Sequence, residues 1–163
     1  MRILGIDPGL RVCGYAVVDA VCGDDKLVEA GVLRIDTEPP LAERLDQIAS
    51  DIESILVNFK PEMVAVEELY SHYGHPKTAI LMGHARGVIL QKSANSGATV
   101  KSFSATRIKK SLTGNGRASK AQMQRAIQTV LALPAPPEPN DVADAIAVAL
   151  CCSNVLNYEV EIK

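Results

Sequence analysis

The sequence predicts an α+β domain built on a five-stranded mixed sheet, and three observations support this prediction. Three consecutive apolar segments of strand length lie near the N-terminus, joined by short connections. The hydrophobic spacing then changes to the helical period. Two further short apolar segments follow, each after a helical pattern. Closely connected strands run antiparallel, whereas a strand reached through a helix runs parallel to its neighbour.

The first three strands are expected to form an antiparallel meander. Arg2–Asp7 is an apolar run that ends at a carboxylate, and Pro8-Gly9 turns the chain into a second strand over Val12–Val18. A third strand follows at Leu27–Ile35. Gly14 interrupts the second strand, which indicates either a bulge or the close approach of another backbone.

Helices and strands alternate in the rest of the chain. Ser119 and Gln122 form a capping box that starts one of these helices. The predicted elements are an amphipathic helix from Leu41 to Leu56, a strand at Met63–Glu68, a helix at Pro76–Ala94, a strand at Ala98–Phe103, a short basic helix at Ala105–Leu112, a helix from Ser119 to about Leu133 and a last helix from Asn140. This order matches the ribonuclease-H-like arrangement. No repeat is visible, so residues 1–163 are expected to form a single domain of that type.

Composition fits an ordinary globular protein, with 47% hydrophobic and 22% charged residues. The apolar runs are too short to cross a bilayer, and the N-terminus lacks the pattern of a signal peptide. A cytoplasmic location without a membrane partner is therefore expected. The four cysteines show no zinc spacing, and the adjacent Cys151 and Cys152 are expected to be core residues.

Charge is distributed unevenly along the chain, although the net charge is only −2. The stretch from Leu69 to Pro137 contains ten Lys or Arg residues, all three histidines and no Asp or Glu. Such asymmetry indicates an anionic partner, and nucleic acid is the main candidate.

Four carboxylates are expected to meet at one edge of the sheet. Asp7 ends the first strand and Glu67 ends the fourth, and the carboxyl ends of parallel neighbours lie together. Asp141 and Asp144 are three residues apart in the first turn of the last helix, so they share a face. Each acid alone has an ordinary structural explanation, but four together repel unless cations neutralise them. Oxygen ligands suit Mg²⁺ or Mn²⁺, and two such ions about 4 Å apart can hydrolyse a phosphodiester.

Basic residues surround the Gly114–Gly116 segment and the capped start of the helix after it. Cations beside the N–H groups of a helix start suit a phosphate. No base-reading motif is visible, so the shape of the nucleic acid should dominate binding. The basic residues are Arg107, Lys109, Lys110, Arg117 and Lys120.

The chain resembles the RuvC family of bacterial Holliday junction resolvases over nearly its whole length. The resemblance is carried by five collinear segments, "GIDPGLRVCGYAVVD", "AVEELY", "LMGHARGV", "SATRIKKSLTGNGRASKAQMQ" and "NDVADAIAVA". It implies a ribonuclease-H-like homodimer that nicks two opposed strands of a four-way DNA junction with Mg²⁺, in recombination and repair. It also implies the branch-migration proteins RuvA and RuvB as partners.

The resemblance also assigns roles to individual residues. It implies an all-carboxylate catalytic and metal site, although some members carry His in place of the first acid of the last helix. It implies base stacking by Tyr70 and DNA binding by Lys109 and Lys120. His72 and His75 are expected to be surface polar residues, and the helical segment Ala79–Ile89 is a candidate dimer interface. The implied catalytic and metal-binding residues are Asp7, Glu67, Asp141 and Asp144.

Three alternatives remain open at this point. A ribonuclease-H-like enzyme that processes RNA can also begin with an Asp-Pro-Gly strand. An actin-like kinase or ATPase begins with a similar hairpin, but 163 residues are too few for its usual two lobes. A junction-binding protein without catalysis is disfavoured because all the expected acids are present.

Overall fold

The computed structural model describes residues 1–21, 24–69 and 76–161. Five strands and five helices lie in these ranges, in the predicted order. They are β1 (Arg2–Asp7), β2 (Val12–Asp19), β3 (Lys26–Arg34), α1 (Leu41–Phe59), β4 (Met63–Glu67), α2 (Pro76–Asn95), β5 (Thr99–Phe103), α3 (Ala105–Thr113), α4 (Lys120–Val130) and α5 (Asn140–Glu161).

The strands form one mixed sheet in the order β3-β2-β1-β4-β5. The meander pairs β1 with β2 and β2 with β3, antiparallel in both cases. The helical crossover α1 leads to β4, which runs parallel to β1, and β5 runs parallel to β4. The predicted five-stranded mixed sheet is therefore confirmed. It places the carboxyl ends of the two central strands, β1 and β4, at the same edge.

The sheet separates two hydrophobic cores, because alternate side chains of each strand point to opposite faces. On one face, Ile3 and Ala65 pack with helix α5 and with residues of α3 and α4. On the other face, Leu4, Ile6 and Val64 pack with helices α1 and α2. The helices thus cover both faces, and the edge where β1 and β4 end stays accessible between them.

Two glycines allow helix α5 to pack directly against the backbone of the sheet. A Cβ atom at Gly14 would overlap the carbonyl oxygen of Asp141, and one at Gly5 would lie 2.7 Å from the backbone nitrogen of Ala149. The predicted close approach at Gly14 is therefore confirmed. The register irregularity of β2 lies elsewhere, between Val17 and Val18.

Helix α4 shows the predicted start and ends slightly earlier than predicted. Both hydrogen bonds of the capping box between Ser119 and Gln122 are present. The helix ends at Val130 rather than near Leu133, because Ala132 takes a positive φ of 48° that no α-helix accommodates.

Two expectations from composition can be checked in the part of the chain that the structure describes. Cys151 and Cys152 are fully buried in α5, as expected of core residues, and Cys13 is a buried free thiol. No helix among these residues has the length and apolarity needed to span a bilayer.

Candidate active site

Asp7 and Glu67 stand side by side where β1 and β4 end. The last registered pair of these strands is Ile6 with Val66, and each acid is the next residue of its strand. Both side chains lie on the face that α5 covers, because side chains alternate along a strand and Gly5, two residues before Asp7, contacts α5. Both acids line one cavity of about 210 Å³, the active-site cavity.

Helix α5 adds the other two acids from above the sheet. Gly14 pairs with Asp7 in the β1–β2 register and contacts the backbone of Asp141, which fixes the first turn of α5 over the end of β1. Asp144, one turn later, lines the active-site cavity. The four acids, named here the acidic quartet, are Asp7, Glu67, Asp141 and Asp144.

Burial and mutual repulsion raise the pKa values of three of these acids, Asp7, Glu67 and Asp144. Burial is the main cause that raises the pKa of Asp7 to about 7, and the charges of the other three acids add to it. Burial, followed by the charge of Asp144, raises the pKa of Glu67 to about 7. Burial also raises the pKa of Asp144. In the absence of a cation, the site therefore disfavours full ionisation.

Two lysines face these acids across the active-site cavity. Lys109 comes from α3 and Lys120 from the first turn of α4, and both line the cavity. The Nζ atom of Lys120 lies 4.0 Å from Oδ2 of Asp144. Lys120 opposes the rise in the pKa of Asp7, and both lysines oppose it at Glu67. An anionic group that entered the cavity would therefore meet two cations.

A second, larger space adjoins the same acids. It measures about 570 Å³ and is lined by Asp7 and Glu67 together with apolar residues such as Leu69, Met82 and Ala105. Asp7 and Glu67 therefore line both this apolar cleft and the active-site cavity, where the lysines lie. A nucleotide strand offers matching chemistry, because charged phosphates alternate along it with bases whose faces can stack on apolar groups.

The other predicted basic residues lie away from the acids. Arg107 and Lys110 line a separate groove with Asn154 and Tyr158 of α5. The Arg107 guanidinium also lies 5.3 Å from the centroid of the Phe103 ring. Arg117 is exposed in the loop between α3 and α4. The predicted stacking residue Tyr70 lies outside the described residues, as do His72 and His75.

The loop before α4 uses its own N–H groups internally. The N–H of Arg117 donates to Oδ1 of Asn115, and the N–H of Gln122 donates to Oγ of Ser119. The N–H groups of Arg117 and Gln122 are therefore not free to bind phosphate, contrary to the expectation from the sequence.

The residues present fit a divalent cation, although they do not form a complete ligand cage. Within the ranges that the structure describes, no group of three or more His, Cys, Asp or Glu side chains could hold a metal ion as it stands. Mg²⁺ does not require such a group, because it binds through one or two carboxylates and keeps waters and substrate oxygens. Half-buried carboxylates that repel one another are suitable donors, since a cation replaces their protons.

One residue of the site was not predicted from the sequence. Arg86 of α2 donates from Nε to the backbone carbonyl of Glu67 at a distance of 3.0 Å. The contact joins residues that are far apart in the chain, and it depends on how α2 is rotated against the sheet. The only signal was the position of Arg86 inside the segment "LMGHARGV".

Comparisons with known proteins show the family to which the chain belongs. The family model described as crossover junction endodeoxyribonuclease RuvC matches residues 3–152. A Rhodopirellula baltica protein of that name is 45% identical over 159 residues, which cover 98% of this chain and 89% of the relative. The Thermus thermophilus RuvC structure matches with a TM-score of 0.89 at 30% identity, covering 98% of this chain and 97% of the other.

A second solved structure, Thermus thermophilus RuvC in complex with Holliday junction substrate, matches with a TM-score of 0.88. It is 27% identical and covers 97% of this chain and 96% of its own. The match to the family model spans most of the sequence, and the relatives align over nearly their full lengths. The resemblance seen in the five sequence segments is thus confirmed, and the chain belongs to the RuvC family of crossover junction endodeoxyribonucleases.

Proposed function

We propose that this chain is a divalent-metal-dependent endonuclease that resolves four-way DNA junctions by paired nicks in opposed strands, in recombination and repair. Residues 1–163 would act as one nuclease domain. The observation that carries the proposal is that Asp7, Glu67 and Asp144 line one cavity that two lysines also line, with Asp141 close enough for its charge to act on Asp7. These acids come from the first strand, the fourth strand and the last helix, so the whole fold is needed to assemble them.

The acidic quartet would hold the metal. Asp7 and Glu67 are the proposed ligands of two Mg²⁺ ions, with Asp141 and Asp144 completing the coordination. Mn²⁺ could take the place of Mg²⁺, because both ions prefer oxygen ligands. When bound, the ions would supply the charge that activates water and stabilises the leaving oxygen of a phosphodiester.

The remaining chemistry falls to the protein side chains. Lys109 and Lys120 both line the cavity and would hold the non-bridging oxygens of the scissile phosphate. Asp144 lines the same cavity and would orient the attacking water and accept its proton. The apolar cleft beyond Asp7 and Glu67 would receive the neighbouring sugar and base, so that the phosphate stays between the acids and the lysines.

Preference for a junction would come from surfaces outside the cavity. Arg107 and Lys110 in their separate groove, and Arg117 in the loop before α4, are proposed phosphate contacts of a junction arm. Tyr70 is proposed to stack on a junction base. The relative solved with Holliday junction substrate supports this substrate class.

Paired nicks require two sites, so a homodimer is proposed. The outer side of α2 is a suitable contact surface: Ile80 is 62% exposed, and Gly83 and Gly87 have open space where a Cβ would stand. The opposite side of α2 is buried through Ala85 and Ile89. Sedimentation should report a dimer for the natural chain and a monomer for Ile80→Arg. By family analogy, RuvA and RuvB are proposed partners at the junction.

The deciding experiment compares a strand-labelled four-way junction with linear duplex of the same sequences, in Mg²⁺ and in EDTA. Symmetric nicks in two opposed strands, confined to the junction and dependent on Mg²⁺, are expected. A junction that is bound but stays intact in both Mg²⁺ and Mn²⁺ would favour a binding protein without catalysis. Cleavage of RNA in preference to the junction would favour an RNA-processing nuclease.

A further inference from the structure

Arg86 connects helix α2 to the ends of two strands. Its Nε donates to the carbonyl oxygen of Glu67 at 3.0 Å, and its Nη2 donates to the hydroxyl oxygen of Ser102 at 2.6 Å. Ser102 lies on β5, opposite Val66 in the register. One guanidinium therefore joins α2, β4 and β5 immediately behind an acid of the quartet.

The carbonyl of Glu67 lies where the ladder between β1 and β4 stops. The last registered pair is Ile6 with Val66, and β1 then continues through Asp7 into Pro8. Proline has no N–H, so residue 8 cannot extend the ladder toward β4. An unpaired carbonyl in a half-buried position destabilises the local structure. The guanidinium supplies a donor that the neighbouring strand lacks.

The contact of Arg86 with Glu67 is a hydrogen bond to the backbone carbonyl oxygen. The cations that lower the pKa of Glu67 are Lys109 and Lys120, and Arg86 is not among them. Its effect on this acid is therefore geometric: the position of the main chain determines where the carboxylate points.

We propose that Arg86 is a positioning residue, which holds the end of β4 and thereby aims the Glu67 carboxylate into the active-site cavity. The inference rests on the proposed metal-dependent nuclease function. Groups that hold a metal ligand in place commonly change metal affinity by about 10–100-fold when they are removed. Because the outer side of α2 is the proposed dimer contact, Arg86 also links that contact to the metal site.

The test compares Arg86→Gln with Lys92→Gln. Both changes replace a cation of α2 by an amide. Lys92 lies in the last turn of α2, where its Nζ bonds Oε2 of Glu53 in α1 at 2.6 Å, so it does not touch β4 or β5 through that bond. Mn²⁺ binding without DNA is measured by titration calorimetry, and junction cleavage is measured over a range of substrate concentrations. Arg86→Gln should weaken Mn²⁺ binding about tenfold and lower kcat, with KM for the junction unchanged. Lys92→Gln should keep the natural values, and Arg86→Lys should restore part of the loss.

A metal-independent readout keeps this inference separate from the proposed function. The amide of Glu68 donates to the carbonyl of Phe103 at 2.9 Å, so its hydrogen exchange reports whether the end of β4 is held. Arg86→Gln should speed this exchange about tenfold, and Lys92→Gln should not. Natural Mn²⁺ affinity and natural exchange in Arg86→Gln would overturn the inference, as would an equal loss in Lys92→Gln. If the natural chain cleaves no junction, the proposed function fails while the exchange comparison still decides the role of Arg86.

Discussion

The two faces of the sheet are packed by different means. Helices α1 and α2 rest on a layer of bulky side chains such as Ile6, Ile48 and Ile52, all fully buried. Helix α5 instead rests on backbone at Gly5 and Gly14, with no side chain between it and the sheet at those points. Layers of branched side chains tolerate small volume changes, whereas a direct contact between a helix and the backbone of the sheet leaves no space for an added atom.

The two faces also differ in whether their helices carry acids of the quartet. Asp141 and Asp144 belong to α5, so any shift of this helix relative to Asp7 and Glu67 changes the geometry of the acidic quartet. No acid of the quartet is carried by α1 or α2. The tightly packed face is the one on which catalytic geometry depends, and the five predictions below test how that face and its acids work.

The largest effect is expected from Asp7→Asn. Loss of this carboxylate should lower junction cleavage roughly 1000-fold or more, on the scale of losing a catalytic acid. Junction binding in EDTA, measured by fluorescence anisotropy, should persist, because the proposed DNA contacts are other residues. Asp19→Asn is a matched control at the opposite end of the sheet, where Asp19 pairs with Arg2 in a partly exposed salt bridge. Loss of binding together with cleavage in a folded Asp7→Asn protein would contradict this division.

Gly14→Ala should have the next largest effect, because the added methyl group would displace Asp141. Cleavage should fall about 100-fold, as expected for a displacement of roughly 1 Å at an active site. The free energy of unfolding should fall by about 1–3 kcal/mol. Ile52→Val provides the comparison on the other face: denaturant unfolding should show a loss of about 1 kcal/mol with cleavage unchanged. Equal cleavage in the two variants would show that the faces do not differ in this way.

Lowering the pH below 7 should weaken metal binding by up to about tenfold per unit for each acid that must lose its proton, because protons compete for Asp7 and Glu67, whose pKa values are raised to about 7. The measurement is the Mn²⁺ concentration that gives half-maximal cleavage, taken from pH 5.5 to 8.5, and this concentration should rise as the pH falls. A half-maximal concentration that does not change with pH would contradict these pKa values.

The raised pKa values of Asp7 and Glu67 also predict how the stability of the metal-free protein changes with pH. The folded protein binds more protons than the unfolded chain between pH 4 and 7, so its stability falls as the pH rises through that window and is level above it. A shift as large as that of Asp7 corresponds to about 4 kcal/mol. Added Mn²⁺ should restore stability at pH 8 and have little effect at pH 5, as thermal unfolding will show.

The smallest effect is expected from Lys120→Gln. Lys120 opposes the upward pKa shifts of Asp7, Glu67 and Asp144, so its removal should raise the pH midpoint of cleavage. Loss of one charged contact to phosphate should also slow cleavage about tenfold. Lys110→Gln is the control, because Lys110 lies in the separate groove and should leave the midpoint unchanged. An equal shift in both variants would point to net charge rather than to local contact.

Much of the site follows from local rules that can be applied to the sequence. Asp7 and Glu67 could be placed together because parallel neighbouring strands end at one edge. The three-residue spacing of Asp141 and Asp144 gives them a shared face in any helix. Gly14 could be recognised as the place of a bulge or a close backbone approach, because glycine inside a strand often marks one of the two.

Other features depend on the rotation of helices, which no local rule supplies. Lys109 and Lys110 are adjacent in sequence, yet one lines the active-site cavity and the other a separate groove. Successive residues of a helix point about 100° apart, so their assignment requires knowing which side of α3 meets α5. The contact of Arg86 with the Glu67 carbonyl depends in the same way on how α2 lies against the sheet.

The position of α5 at the end of the described fold has a consequence during synthesis. Ribosomes extend a chain by about 5–20 residues per second, so Asp7 and Glu67 emerge many seconds before α5 is complete. The sheet cannot acquire its full set of acids until α5 has docked onto Gly5 and Gly14. We therefore expect a nascent chain, or a fragment cut before residue 140, to be unable to nick DNA.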